Sequence, residues 1–297
     1  MNIHSVIDER SLKTAAGLKK NLRYFSEDTD SKRLVDLTAS TDIRIPPITG
    51  EGYLQAEGSC NGVSLDPGFL VYRWTGPEAP LVIYHHGAAE GTFDFGFKRI
   101  FGKRPFNKAE VNLIAVKGPF CGSNEEFFEH ITSLKDYTAL MNGSAVTVEG
   151  IINEFRLISE RPVTLCGTSL GGMITCLHAL AFGSADAYLP LYAGPEAGEV
   201  FINSAYSVMT DTSAKQEHAD TLRHVLNFGK EFREAGRTNV FPALGKYDRI
   251  FDLDLHSAFY RPDTVTVFNR GHSTGASSAG QLADYIHTRM AGGSRGE

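Results

Sequence analysis

A serine, a histidine and an aspartate stand in sequence contexts that suit nucleophilic chemistry. Ser169 is the central residue of a Gly-Thr-Ser-Leu-Gly pattern. A serine hydroxyl is a poor nucleophile until a neighbouring base takes its proton, and histidine is the usual base at neutral pH. A carboxylate then fixes the tautomer of that histidine and stabilises the imidazolium. Ser169 is therefore the candidate nucleophile, and its chemistry requires a histidine and a carboxylate within reach.

The residues around Ser169 predict a strand, a tight turn and a helix. Residues 162–166 are apolar and rich in β-formers, and residues 170–181 place apolar side chains along one helical face. Such a sharp reversal forces the central residue into a strained conformation, and Gly167 and Gly171 allow the strand and helix to approach. The serine would then lie above helix-start N–H groups, which favour a developing negative charge.

His272 is the preferred base among the ten histidines. It follows a predicted strand at residues 264–268, at the strand end where α/β sheets place their ligands. Gly271 gives its loop backbone freedom. His86 is the second candidate, and it is interpreted as a brace for its own loop. His178 lies beside the apolar face of the helix after Ser169 and is expected in the core.

Asp248 is the predicted acid. It follows a predicted strand at residues 240–244, so it lies at the same sheet edge as Ser169 and His272. Asp252 and Asp254 are nearby alternatives that lie further into the next element. Glu196, which follows another predicted strand, is the stronger rival.

Strands and helices alternate along most of the chain, which predicts an α/β fold: a mostly parallel sheet with helices on both faces. Residues 68–74 and 34–45 offer earlier, antiparallel strands. The alternation lapses between residues 192 and 238, where Ser213 and Gln216 form a capping box. This helical insertion is either a lid over the site or a fixed peripheral layer. The further predicted strands are 81–84, 111–116 and 187–191.

Composition excludes several classes of protein. The chain has 297 residues, of which 42% are hydrophobic and 22% charged, and its net charge is −6. These values are typical of a globular protein and argue against nucleic acid as the main partner. No apolar run is long enough to span a membrane, and no signal peptide is recognisable, so a cytoplasmic location is expected. The four cysteines are scattered and are interpreted as small buried hydrophobes.

No cofactor or metal is expected. The glycine patterns of a P-loop and of a dinucleotide site are missing from the sequence. His85 and His86 are adjacent on a predicted strand, where successive side chains point to opposite faces. A shared metal ion is therefore not expected at this pair.

The order Ser169, Asp248, His272, each after a successive strand, resembles that of the α/β-hydrolase superfamily. The resemblance extends from about Gly68 to Met290. It implies an α/β-hydrolase domain at residues 61–297 with a cap-like insertion at about 192–238. Residues 1–60 would form an N-terminal extension that could pack on this domain.

The resemblance also implies an oxyanion hole. Its donors would be the backbone N–H groups of Leu170, just after the nucleophile, and of Ala88, which follows a His-Gly pair, with Ala89 as the next choice. The expected function is that of a serine esterase, which cleaves a carboxylic ester, or a thioester or amide, through an acyl-enzyme intermediate. Acyl transfer and carbon–carbon bond hydrolysis would use the same three residues. A non-catalytic binding protein of this fold is a further alternative. The expected partner is a small-molecule acyl substrate, and the sequence does not indicate an oligomeric state.

Overall fold

The computed structural model describes residues 2–18 and 22–290. The strands are β1 (Asp42–Arg44), β2 (Gly52–Gln55), β3 (Glu57–Cys60), β4 (Val63–Leu65), β5 (Gly68–Arg73), β6 (Leu81–His85), β7 (Asn112–Lys117), β8 (Val163–Thr168), β9 (Ala187–Leu191), β10 (Ala243–Gly245) and β11 (Thr266–Phe268).

The helices of the same residues are α1 (Ile3–Leu18), α2 (Leu34–Leu37), α3 (Phe95–Phe101), α4 (Arg104–Asn107), α5 (Asn124–His130), α6 (Leu134–Arg156), α7 (Leu170–Ala181), α8 (Ala197–Ile202), α9 (Thr212–Glu217), α10 (Ala219–Leu226), α11 (Gly229–Glu234), α12 (Leu253–Ser257), α13 (His272–Ala276) and α14 (Ala279–Arg289). Short 3₁₀ helices cover Thr38–Ser40 and Ala205–Met209.

The main sheet of the described chain has eight strands in the order β11-β10-β9-β8-β6-β7-β5-β2. The six strands from β11 to β7 are parallel, whereas β5 pairs antiparallel with both β7 and β2. A smaller antiparallel sheet has the order β1-β3-β4. The predicted α/β fold with a mostly parallel sheet is confirmed.

Helices cover both faces of the main sheet. Along β6, Leu81 and Ile83 belong to one hydrophobic cluster, and Val82 and Tyr84 belong to another. This alternation follows from the two-residue period of a strand. The first cluster contains the apolar faces of α6 and α7, and the second contains those of α3 and α14. The central strands are therefore buried on both sides, as a parallel sheet requires.

The prediction of a strand at residues 34–45 was wrong over most of that range. Residues 34–40 form α2 and a 3₁₀ turn, and only Asp42–Arg44 is a strand. Leu34 and Leu37 are fully buried against α6, and their three-residue spacing is that of one helical face. Asn142 of α6 also donates to the Leu34 carbonyl at 3.0 Å.

The segment between β9 and β10 contains α8, the 3₁₀ helix at 205–209, α9, α10 and α11. The helix predicted from Ser213 begins one residue earlier, because the Asp211 carboxylate accepts from the Ser213 and Ala214 amides at 2.8 and 3.2 Å. The strand predicted at 240–244 is shorter, as β10 begins at Ala243.

Residues before 61 are distributed over the fold. Strand β2 forms one edge of the main sheet, and α1 packs against α13 and the 3₁₀ helix at 205–209. All four cysteines lie among the described residues, and each is buried and free. No helix within residues 2–18 and 22–290 has the length and apolar character to cross a membrane.

Candidate active site

Ser169 occupies a sharp turn between β8 and α7. Its φ and ψ are 56° and −114°, which is unusual for a residue with a side chain. Such a conformation costs of order 1–3 kcal/mol, and the surrounding structure must hold it in place. The Ser169 amide donates to the Leu191 carbonyl at the end of β9, at 2.9 Å. The predicted strand, turn and helix are therefore observed in this order.

The glycines on either side of Ser169 are explained by close backbone contacts. A Cβ on Gly167 would lie 2.4 Å from the carbonyl carbon of Gly171. A Cβ on Gly171 would lie 2.1 Å from the His85 carbonyl oxygen at the end of β6. Neither position has room for a side chain, because both obstacles are main-chain atoms.

The three predicted residues form one hydrogen-bonded chain. His272 Nε2 lies 2.9 Å from Ser169 Oγ, and His272 Nδ1 lies 2.9 Å from Asp248 Oδ2. His272 and Asp248 are only 7% and 5% exposed, while Ser169 is half-buried. The residues follow the carboxyl ends of β8, β10 and β11, which are brought to one edge by the parallel pairing.

The Asp248 carboxylate is held from both sides. Its Oδ1 accepts from the Ile250 and Phe251 amides at 2.7 and 2.8 Å, which leaves Oδ2 directed at His272. The Phe251 ring stacks on the His272 imidazole with centroids 5.5 Å apart. Both the orientation and the plane of the imidazole are therefore fixed by the loop that follows β10.

The surroundings of His272 change its pKa in opposing directions. Burial lowers the pKa, because it disfavours the charged imidazolium. The charge and hydrogen bond of Asp248, with a smaller effect of the Asp8 charge, act against burial. The net result is a pKa raised above the usual value for histidine.

The rival acids have other partners. Glu196 Oε1 accepts from the Gly229 amide at 3.0 Å. Asp252 caps α12 by accepting from the Leu255 amide at 3.0 Å, and Asp254 is exposed. Among these carboxylates, Asp248 is the one bonded to His272.

Leu170 and Ala88, the predicted oxyanion donors, line the same pocket as Ser169. The loop that carries Ala88 is braced by Glu90, a residue that the sequence analysis did not single out. Its two carboxylate oxygens accept from the Gly87 and Gly96 amides at 2.7 and 2.9 Å. Burial raises the pKa of Glu90, although these two hydrogen bonds oppose the shift. The loop geometry after β6 thus depends on one half-buried carboxylate.

His86 also holds this loop. Its Nδ1 lies 2.7 Å from the Gly87 carbonyl, and its Nε2 accepts from the Gly118 amide at 3.2 Å. Burial lowers the pKa of His86 to about 4. A neutral imidazole with one donating and one accepting nitrogen matches both contacts.

The argument that His85 and His86 point to opposite faces was wrong. Their rings stack with centroids 4.6 Å apart and 27° between planes. His85 is the last residue of β6, so His86 lies beyond the strand and outside its alternation. Within the described residues, no group of three or more His, Cys, Asp and Glu side chains could hold a metal ion.

His178, which was expected in the core, is fully buried on α7. Its Nδ1 lies 3.2 Å from the Tyr188 hydroxyl, and its Nε2 lies 3.2 Å from Glu149. Burial lowers its pKa, with Glu149 acting in the opposite direction. These contacts are far along the helix from Ser169.

A narrow apolar pocket opens beside Ser169. Aromatic rings form much of its wall, and Phe201 of α8 packs against Tyr24 and Tyr137 with centroids 4.8 and 5.3 Å away. Among the described residues that line this pocket, none has a charged side chain. The full set of lining residues is Tyr24, Ala88, Tyr137, Ser169, Leu170, Met173, Val200, Phe201, Tyr206, Ile250 and Phe251.

Two parts of the chain that the sequence analysis could not place contribute to this pocket. Tyr24 precedes the predicted domain, and Val200, Phe201 and Tyr206 come from the insertion after β9. The segment at Tyr24 is attached to the insertion by backbone pairing with Thr210. No local pattern marks these residues, because each acts through contacts with distant parts of the chain.

No protein-family model matches the sequence, and no curated protein is similar to it. Solved structures are similar in fold. Acetyl xylan esterase 1 from Thermoanaerobacterium sp. JW/SL YS485 is 13% identical, with a TM-score of 0.54 over 80% of this chain and 86% of that chain. Est1E from Butyrivibrio proteoclasticus is 12% identical, with a TM-score of 0.52 over 81% and 99%.

An acylaminoacyl peptidase from Pyrococcus horikoshii is also similar, at 13% identity and a TM-score of 0.51 over 84% of this chain. The matched region covers only 44% of the peptidase, so this chain corresponds to less than half of that protein. The strand order, the turn at Ser169 and these likenesses agree with one another. The chain has the α/β-hydrolase fold.

Proposed function

We propose that this protein is a serine hydrolase that cleaves a carboxylic ester through an acyl-enzyme intermediate. The observation that carries the proposal is the chain of two 2.9 Å contacts from Ser169 through His272 to Asp248. A hydroxyl, an imidazole and a carboxylate in this order are the groups that activate a serine nucleophile.

In the first half of the reaction, Ser169 Oγ attacks the ester carbonyl carbon while His272 Nε2 takes the hydroxyl proton. Asp248 accepts from His272 Nδ1–H and stabilises the imidazolium. The developing oxyanion would accept from the Leu170 and Ala88 amides, and one such donor typically contributes about 3 kcal/mol. The imidazolium then returns the proton to the departing alkoxide, which leaves as an alcohol and gives the acyl-serine.

The second half repeats these steps with water. His272 takes a proton from water, the resulting hydroxide adds to the acyl carbon, and Ser169 leaves with the proton that His272 returns. The products are a carboxylic acid and the free enzyme. Thioesters and amides would follow the same course with a different leaving group.

The pocket supports a preference for a short, uncharged acyl group. It is narrow, and its wall is aromatic and aliphatic. A charged acyl group would lose its hydration there without an ionic partner. We therefore expect acetyl to butyryl esters to be better substrates than long-chain or dicarboxylic esters.

The proposal is tested with a fluorophosphonate probe and p-nitrophenyl acetate. The wild-type protein should be labelled and should release p-nitrophenol, and Ser169→Ala should lose both properties. Ser277→Ala, a change of an exposed serine, is the matched control and should retain both. An unlabelled, inactive wild-type protein would contradict the proposal and favour a non-catalytic binding role.

A further inference from the structure

A buried carboxylate from the N-terminal helix contacts the backbone of His272. Asp8 on α1 is 0% exposed. Its Oδ2 accepts from the His272 amide and its Oδ1 from the Ser273 amide, both at 2.8 Å. Oδ2 also lies 3.3 Å from the Arg249 amide, the residue after Asp248. One carboxylate therefore connects the loops that carry the imidazole and its acid.

Gly271 allows this approach. A Cβ at this position would lie 2.7 Å from Asp8 Oδ2 and 3.0 Å from the His4 carbonyl oxygen of α1. The φ of Gly271 is −91°, which any residue can adopt. The backbone conformation at Gly271 therefore does not require a glycine. A side chain would not fit at this position because α1 lies too close.

We propose that Asp8 is a positioning residue for His272. Its two oxygens fix the backbone from which the imidazole reaches Ser169, and its negative charge favours the imidazolium formed during the reaction. This inference rests on the proposed hydrolase activity. The two amides also explain the burial of Asp8, because a buried carboxylate without hydrogen-bond donors would be strongly unfavourable.

The charges around His272 support an electrostatic part of this role. Asp248 approaches from the loop after β10 and Asp8 from α1, and both favour the charged imidazole. Arg249 is partly exposed and lies 3.4 Å from Glu9, which offsets its charge. Other titratable or charged side chains close to His272 or its helix include His4, Tyr192 and Tyr247, together with Arg270 beside Tyr192 and Arg99, which donates to the Ser277 carbonyl.

Asp8→Asn tests the proposal most directly. Asparagine keeps one acceptor oxygen and the side-chain size but loses the charge. We expect kcat for p-nitrophenyl acetate to fall about tenfold with little change in KM, because a displaced base affects the chemical step. The acid limb of kcat/KM should move to lower pH by roughly half a unit to one unit, as the imidazolium loses a stabilising charge.

Asp8→Glu separates the charge from the geometry. It keeps the negative charge, so its acid limb should stay near the wild-type pH even if kcat falls. Glu160→Gln is the matched control, since it removes an exposed negative charge just before the amino end of β8, at the opposite edge of the sheet from His272. Its kcat and pH profile should be unchanged. Circular dichroism and thermal melting establish that each variant is folded.

The proposal is overturned if folded Asp8→Asn retains the wild-type kcat and acid limb. If Asp8→Asn does not fold, Gly271→Ala tests the same contact, because its methyl group would displace the Asp8 carboxylate. A folded Gly271→Ala protein with wild-type kcat and acid limb would also overturn the proposal. If the wild-type protein is itself inactive, the hydrolase proposal fails, and the pKa of His272 is measured by NMR instead. That pKa should be lower in Asp8→Asn, and equal values would contradict the role of Asp8.

Discussion

The hydroxyl groups of Tyr24 and Tyr206 lie 2.9 Å apart in the lining of the pocket beside Ser169. Tyr24 precedes the first strand, and Tyr206 belongs to the insertion after β9, so 182 positions separate them along the chain. Their rings lie 5.5 Å apart, and the ring of Phe201 packs against both. Two segments outside the central sheet therefore form together part of the wall of the pocket beside Ser169.

Acyl-chain selectivity should depend on Phe201. In Phe201→Ala, the ratio of kcat/KM for p-nitrophenyl octanoate to that for the acetate should rise about tenfold, because the truncated side chain lengthens the pocket. Stopped assays over a graded ester series measure this ratio. The substitution should also lower the free energy of unfolding by about 3–5 kcal/mol, which urea denaturation measures.

Tyr206→Phe is the control for this prediction, since it removes a hydroxyl and keeps the ring. Its chain-length profile should match that of the wild-type protein. The same profile in Phe201→Ala would mean that the acyl group binds elsewhere.

Asp248→Asn should reduce kcat by about 10³- to 10⁴-fold, because the asparagine no longer fixes the imidazole tautomer or stabilises its charge. Ser169→Ala and His272→Ala should each reduce kcat by about 10⁴-fold or more.

Glu196→Gln changes a carboxylate that is bonded to the Gly229 amide, and its kcat should stay within about threefold of the wild-type value. A larger loss in Glu196→Gln than in Asp248→Asn would assign the acid to Glu196.

The pH profile should report the raised pKa of His272. The base acts in its neutral form, so kcat/KM should increase as the pH rises through that pKa. We expect the midpoint of this limb to lie above the ordinary histidine value of about 6.5. In Asp248→Asn the residual activity should show a lower midpoint, because the effect of burial is then opposed only by the smaller effect of the Asp8 charge. A wild-type midpoint well below 6 would contradict the assignment of His272 as a base held by Asp248.

Glu90 should matter for the transition state more than for substrate binding. In Glu90→Gln one of the two amides at Gly87 and Gly96 faces an NH₂ group, so the loop that carries Ala88 shifts. We expect kcat to fall about tenfold or more at nearly constant KM, since the oxyanion forms only during the reaction. Asp94→Asn, a change at an acid on the same segment that pairs with Lys98, should leave kcat unchanged.

Two glycine substitutions should have opposite effects on stability. Gly171→Ala places a methyl group 2.1 Å from the His85 carbonyl oxygen, so it should destabilise the fold by more than about 3 kcal/mol. Gly280→Ala in α14 meets no atom within 4 Å and should stabilise the protein by about 0.5 kcal/mol. Urea denaturation measures both values. A Gly171→Ala protein of wild-type stability would show that the turn at Ser169 is less tightly packed.

The sequence predicted the central sheet and the three residues at its edge, because both depend on local patterns. The glycines around Ser169 mark a turn through five adjacent positions. Asp248 and His272 each follow an apolar strand, and parallel strands end at one edge. The structure brings the three side chains into the hydrogen-bonded chain described above.

The contributions of Asp8, Tyr24 and Glu90 could not be predicted in the same way. Asp8 contacts a residue 264 positions away, and no spacing rule relates the two. Helix α2 was misread because its short length offers only Leu34 and Leu37 as a helical signal. Where the function of a side chain depends on packing between distant segments, a single sequence has no periodicity to reveal it.

The dependence of His272 on Asp8 has a consequence for biosynthesis. Translation produces α1 before β11 and α13, which follow only after every other strand of the main sheet. During elongation, the nascent polypeptide carries Ser169 before His272 has been made. The hydrogen bond between Ser169 and His272 can therefore form only after the ribosome has made both of the segments that the Asp8 carboxylate joins.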